Sequence, residues 1–275
     1  MAKYEPHLGT VQETLLIPLY ARAVDHREQQ SVLGDERAEE IASSLDYDFT
    51  RFDGLPSLSG VLLRSLLFDH WVRDFLAKAP DATVVEIGAG LNTRYERVDN
   101  GRSRWFELDL PDVIELRRRH FSDSSRRTML GVSVTDRAWP VDVVSHSQGP
   151  YLLVAEAVLP FLDEPEARGV FDLLAEHFPG ALLALDTAGP GFFDNQDEHD
   201  ALSKVQARMN WYCPDPADLA DWLPGLKVMA SHAVTDLPTP VMNQLPQRYQ
   251  ELVAAISAQH LPQVDGYRLN LVRLP

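Results

Sequence analysis

From about residue 81 onward, short apolar runs alternate with segments of helical period, a pattern that predicts strands and helices in turn. Thr83-Val84-Val85-Glu86-Ile87 reads as a buried strand ending in Gly88-Ala89-Gly90, and Arg104-Trp105-Phe106-Glu107-Leu108 as the next, ending in Asp109. Pro111 stands where a first-turn helix proline belongs, and Arg117 to His120 fill that helix's last turn, where cations suit the dipole. Tyr151 to Val158 and Ala181 to Leu185 read as further strands, separated by a helix that Asp163 caps and whose first turn holds Pro165. Upstream, residues 7–79 are expected to be helical, with Leu15, Leu16, Leu19 and Ala23, then Leu62 to Leu76, recurring at helical spacing. Turn chemistry at Asp46–Phe49 and Gly54–Ser57 divides them. Downstream, residues 189–213 are irregular and carry Phe192, Phe193, Met209, Trp211 and Tyr212, a composition expected of a lid. A helix starting at Asp215-Pro216, a strand over 226–234, a helix over 247–258 and a terminal strand over 267–274 complete the pattern. The alternation predicts an α/β fold: a mainly parallel sheet with helices on both faces, preceded by a helical cap.

No repeat and no low-complexity linker interrupts the 275 residues, so one domain is expected: a cap over 1–79, a core over 80–190, a lid over 190–214 and closing elements over 215–275. The formal charge of -16 repels nucleic acid and anionic lipid, so neither is an expected partner. The single Cys213 excludes an internal disulfide, and without a His/Cys cluster no metal site is expected. No apolar run approaches the roughly 18 residues of a membrane span, and a cytoplasmic location is expected.

The candidate chemistry sits at two strand tips. Gly-x-Gly at the carboxyl end of a parallel strand lets backbone approach a ligand, because neither residue carries a Cβ. The dinucleotide fingerprint asks for a third glycine, where this chain has Thr93, which disfavours a nicotinamide or flavin pyrophosphate. Asp109 follows Gly90 at the next strand's tip, where a carboxylate accepts hydrogen bonds from a ribose diol. An adenosine ligand without a diphosphate points to S-adenosyl-L-methionine. The plainer role for Asp109 is to cap the helix entered through Pro111.

Gly88-Ala89-Gly90-Leu91-Asn92-Thr93-Arg94, Phe106-Glu107-Leu108-Asp109-Leu110-Pro111 and Ala155-Glu156-Ala157-Val158-Leu159-Pro160-Phe161-Leu162 resemble the leucine carboxyl methyltransferase family of S-adenosylmethionine-dependent enzymes. Glu13 to Ala23 is similar to its bacterial branch. The resemblance runs from about residue 10 to about residue 190 and implies a Rossmann-like class I methyltransferase fold, with S-adenosyl-L-homocysteine as product. It implies that Gly88 and Gly90 line the methionine part of the cofactor, that Asp109 holds the ribose and that Asp136 sits by the adenine amino group. It further implies that Glu156 faces the ammonium or sulfonium side and that Arg64 pairs with the cofactor carboxylate. With Glu86 these residues form the expected cofactor-binding set. The chain departs from the family pattern at Asn92, where Asp is usual, and at Pro160-Phe161, where a tyrosine is usual.

What an acceptor needs depends on its acidity. A carboxylic acid of pKa about 4 is ionised at neutral pH and needs no base, whereas a phenol near 10 needs one within hydrogen-bond reach. By chain position the histidines to consider are His146 and His199. Arg22, Arg208 and Lys204 are the cations expected near an anionic acceptor, with Tyr20, Trp211, Tyr212, Phe192 and Phe193 as flat walls. The resulting expectation is O-methylation of a small aromatic or polyketide natural product, at a carboxyl group or alternatively at a phenolic hydroxyl. The remaining alternative is a non-catalytic cofactor-binding or interaction protein of the same fold.

Overall fold

The structure is a computed structural model and describes residues 3–275. Its strands are β1 (Thr83–Ile87), β2 (Arg104–Asp109), β3 (Arg127–Gly131), β4 (Tyr151–Ala155), β5 (Leu182–Ala188), β6 (Lys227–Ala233) and β7 (Tyr267–Arg273). They form one sheet in the order β3-β2-β1-β4-β5-β7-β6, parallel except for β7, which runs antiparallel to both neighbours. Successive strands lead outward from β1 to one edge, and the chain then returns to place β4 on the other side of β1. That reversal opens a crevice at the carboxyl ends of β1 and β4.

Side-chain alternation sorts the core. Val84, Trp105, Leu152 and Val154 pack with the long helix α3 (Ser57–Lys78) on one face. Val85, Phe106, Leu108 and Leu153 pack on the other, with α7 (Glu164–His177). The α7 start follows its sequence signal: Asp163 accepts the Glu166 N–H at 2.8 Å while the Glu166 carboxylate accepts the Asp163 N–H at 3.1 Å, with Pro165 in the first turn. Ahead of the sheet come α1 (Leu16–His26) and α2 (Glu36–Ser44); α4 (Arg94–Val98), α5 (Pro111–Arg117) and α6 (Trp139–His146) lie between strands.

The structure departs from the sequence pattern at β3, at α6 and at β4. The edge strand β3 and the helix α6 that follows it were not legible, because Arg127 reads as surface; it is buried by donating to both oxygens of Glu107 at 2.8 Å. Strand β4 stops at Ala155 rather than Val158, since Ala157 adopts a left-handed φ of 56° that no strand continues. Among the described residues, no helix is long and apolar enough to cross a membrane, and no cluster of His, Cys, Asp and Glu has metal-binding geometry.

Candidate active site at the carboxyl edge of the sheet

The bend after β1 requires its glycines. Gly88 and Gly90 have φ of 64° and 48°, and a Cβ on Gly88 would overlap Val158 Cγ2. Strand register places Ile87 beside Leu108, so the two tips emerge together. Asp109 Oδ2 accepts the Gly90 N–H at 2.7 Å and Oδ1 accepts the Leu110 N–H at 2.7 Å. Burial pushes this carboxyl up to about 6. From the opposite side Arg117 Nη1 donates to the carbonyls of Gly90 at 3.0 Å and Asn92 at 2.7 Å, while its other nitrogens grip Glu107. Arg117 therefore does more than complement a helix dipole: it fixes the bend.

Beyond β4, Glu156 Oε1 accepts from Arg64 Nε and Ser65 Oγ, both at 2.9 Å, and Oε2 accepts from Arg94 Nη2. The two guanidiniums hold the Glu156 carboxyl far below the usual carboxylate range against its burial. Arg94 is completely enclosed and also binds Glu86 and Asp69, the latter at 2.8 Å. Arg64 Nη1 reaches the Tyr267 hydroxyl at 3.2 Å and lies 3.8 Å from Asp186. Sequence reasoning missed Arg94, which carries no periodic or motif signal beyond its place after Thr93.

A cavity of about 980 Å³ opens over these groups. Gly88, Gly90, Asp109, Arg64 and Glu156 all line it. Glu86 does not; it lies beneath, accepting from Asn92 Nδ2 at 3.0 Å, and burial pushes its carboxyl up to about 7. Asp136 does not join the site either. It is exposed and accepts the Ala138 N–H at 2.7 Å ahead of α6, while Ser133 and Val134 form that part of the wall.

The residues expected around the acceptor are also sorted. Arg22 reaches the wall but is tied to Asp35 at 3.0 Å and to the Leu91 carbonyl at 2.9 Å, and burial lowers its pKa to about 10. Tyr20 is not in the wall; it stacks on Phe49 and donates to Asp53. Arg208 staples its own loop, bonding Asp197 and the carbonyls of Leu202, Val205 and Ala207. Trp211 is core, donating to the Leu159 carbonyl at 2.7 Å, and with exposed Tyr212 and half-buried Phe193 it borders a separate small pocket. His146 and Lys204 are exposed and outside the cavity. The segment 190–214 contributes Phe192, Asn195, His199 and Met209 instead. The walls that sequence reasoning missed are Gln12, Thr14 and Leu15, and Leu252 to Val264; the apolar Leu252, Val253 and Ile256 at helical spacing were the available signal for the latter.

The residues present fit S-adenosylmethionine: a Cβ-free cradle at Gly88, a carboxylate at the second strand tip and the Arg64–Glu156 pair beside them. Fold and site together define a class I S-adenosylmethionine-dependent methyltransferase. The chain belongs to the leucine carboxyl methyltransferase family, whose sequence model matches residues 16–175. It is 34% identical over 233 residues to the tetracenomycin polyketide synthesis O-methyltransferase TcmP of Streptomyces glaucescens, covering 84% of this chain and 86% of that protein. It is 28% identical over 241 residues to the S-adenosyl-L-methionine-dependent methyltransferase dpfgK of Gibberella zeae, covering 80% and 81%. Among solved structures, a DUF574 family protein from Streptomyces avermitilis shares the fold with a TM-score of 0.58 at 15% identity, covering 93% of this chain and 97% of that one.

Proposed function

We propose that the protein is an O-methyltransferase that esterifies a carboxyl group on a small aromatic or polyketide acceptor. The observation that carries this reading is membership of the leucine carboxyl methyltransferase family with the likeness to TcmP across most of both chains, joined to a cavity lined largely by apolar residues. Phe161, Phe192, Met209 and Ile256 line it, surfaces suited to a flat ring system. When bound, S-adenosylmethionine supplies a methyl group on a cationic sulfonium. The chain's own work is then to position and to exclude water: Asp109 takes the ribose hydroxyls, Arg64 takes the cofactor carboxylate, and the apolar walls align the acceptor. A carboxylate is already ionised at neutral pH, so this reading asks the chain for no base.

Transfer to a phenolic hydroxyl is the second reading, favoured by the presence of His199 in the cavity wall. The test is incubation with S-adenosylmethionine and aromatic acids or phenols, followed by mass spectrometry and mild alkali. An ester loses its methyl group in alkali and an aryl ether keeps it. A product stable to alkali would overturn the carboxyl reading and leave the methyltransferase class intact.

A further inference from the structure

His199 enters the cavity wall with one ring nitrogen already committed. The backbone N–H groups of Ala201 and Leu202 both point at Nδ1, each at 3.2 Å; the Ala201 N–H is shared with Asp200 Oδ1 at 2.9 Å, and that oxygen lies 3.3 Å from Nδ1. The Leu202 N–H, with the shared Ala201 N–H, takes the lone-pair direction of Nδ1, and this network assigns Nδ1 as the acceptor and the proton of the neutral ring to Nε2. The ring packs against Phe192 at 5.1 Å between centroids. Its segment is anchored to the cap: Asp200 Oδ2 accepts the Ser57 N–H at 3.0 Å at the start of α3, and Oδ1 accepts the Ala201 N–H at 2.9 Å. Burial and nearby Arg64 lower the His199 pKa against the opposing pull of Asp200, which keeps the ring neutral at pH 7. Of the other cations in the wall, Arg22 is engaged by Asp35, and Arg64, paired with Glu156, is given to the cofactor carboxylate in the reading above.

Resting on the carboxyl reading above, we propose that His199 is the positioning residue for the acceptor: its Nε2–H donates a hydrogen bond to the carboxylate oxygen that does not receive the methyl group. In this tautomer Nε2 already bears its proton and cannot take one from a hydroxyl, so His199 orients an acid and does not serve as a base for a phenol. No proton moves in the transfer itself; the carboxylate oxygen forms the bond to carbon as the sulfonium bond breaks.

The test uses the full chain saturated with S-adenosylhomocysteine. Binding of aromatic acids from benzoate to anthracene-2-carboxylate, and of 2-naphthol, is measured by calorimetry, and the tautomer is read from ¹⁵N-histidine spectra assigned with His199→Gln. The expected results are an Nε2–H tautomer and acid affinity about tenfold weaker in His199→Ala, the loss of one hydrogen bond to a charged group. Homocysteine-product affinity should be unchanged, and His199→Gln, whose amide nitrogen overlies Nε2, should restore part of the loss. If His199→Ala loses the cofactor product as well, the His199→Gln comparison and the wild-type tautomer decide. Methyl esters formed by wild type with acid affinity unmoved in His199→Ala would overturn the role of His199 alone. An Nδ1–H tautomer would also overturn it. Wild type that binds 2-naphthol and none of the acids, or none of these probes, would overturn both this role and the carboxyl reading.

Discussion

Asp109 Oδ2 accepts the Gly90 N–H at 2.7 Å across the two strand tips, so the carboxylate proposed to hold ribose and the bend proposed to take the amino-acid tail form one unit. Neither strand positions its residue alone. Movement at either tip is felt at the other, and cofactor affinity reports on both.

The ionisation of Asp109 follows from that enclosure. Its carboxyl sits at about 6 in the folded chain, above the roughly 3.9 of an unfolded aspartate, so between those values the folded chain binds the proton more tightly. This group's contribution to stability therefore falls as pH rises from about 4 to about 6. If the ionised carboxylate holds the ribose, binding of S-adenosylhomocysteine strengthens as it ionises, by about tenfold between pH 5 and pH 7. Asp109→Ala should weaken binding at pH 7 by about 1.5–3 kcal/mol and remove most of the pH dependence. Calorimetric titration across pH 5–8 checks both; a wild-type affinity flat with pH would count against the ribose role.

At Gly88 two obstacles are separable. Alanine there would strain a left-handed residue, at about 1–2 kcal/mol, and would also drive its methyl group into Val158. Gly88→Ala is expected to lose stability and cofactor affinity together. Gly88→Ala/Val158→Ala should recover the steric share and leave the backbone share. Denaturant midpoints and cofactor titrations of the two variants measure the split; no recovery in the double variant would mean that backbone strain alone governs the bend.

The strand tips were legible because period-two alternation and parallel register carry a tip residue to a definable edge: Gly88, Gly90, Asp109 and Glu156 all reach the cavity. The expected residues that lie outside the cavity, or in its wall with another partner, sit on elements without such a register. Asp136 was placed through the family pattern, and in the chain it lies five residues beyond β3, in a turn where it serves the backbone of α6. Trp211 and Phe192 share one irregular segment, and nothing in their spacing says which one faces the cavity and which the core. Glu86 was read as a ligand because it sits in the motif strand, but strand alternation turns it toward Arg94. The partners that engage Arg22 and Arg208, Asp35 for the one and Asp197 with loop carbonyls for the other, cannot be seen without the fold.

The buried charges under the site make stability depend on pH. Glu86 is pushed up to about 7, from about 4.3 in an unfolded chain, chiefly by burial with Glu156 nearby and despite Arg94. The folded chain holds that proton more tightly, so the unfolding free energy falls as pH rises from about 4.5 to about 7. Glu86→Gln should flatten that slope in urea titrations. Arg94→Met, which leaves Glu86 without a guanidinium while Asp69 keeps Arg97 and Glu156 keeps Arg64, should cost about 3–5 kcal/mol at pH 7 and less at pH 5, where Glu86 takes a proton. A loss in Arg94→Met that is the same at both pH values would refute the coupling.

Arg64 separates binding from scaffolding. Its Nε serves Glu156 and its Nη1 serves Tyr267, while Glu156 keeps a second guanidinium in Arg94. Arg64→Met therefore leaves Glu156 paired, and the variant should stay folded with a loss well short of that of Arg94→Met. If Arg64 meets the cofactor carboxylate, the substitution should weaken S-adenosylmethionine by about 1.5–3 kcal/mol and its decarboxylated analogue by much less. Competition titrations of both compounds on wild type and variant give the two differences directly. Equal losses for the two would assign Arg64 to holding Glu156 and Tyr267 in place, with no contact to the carboxylate.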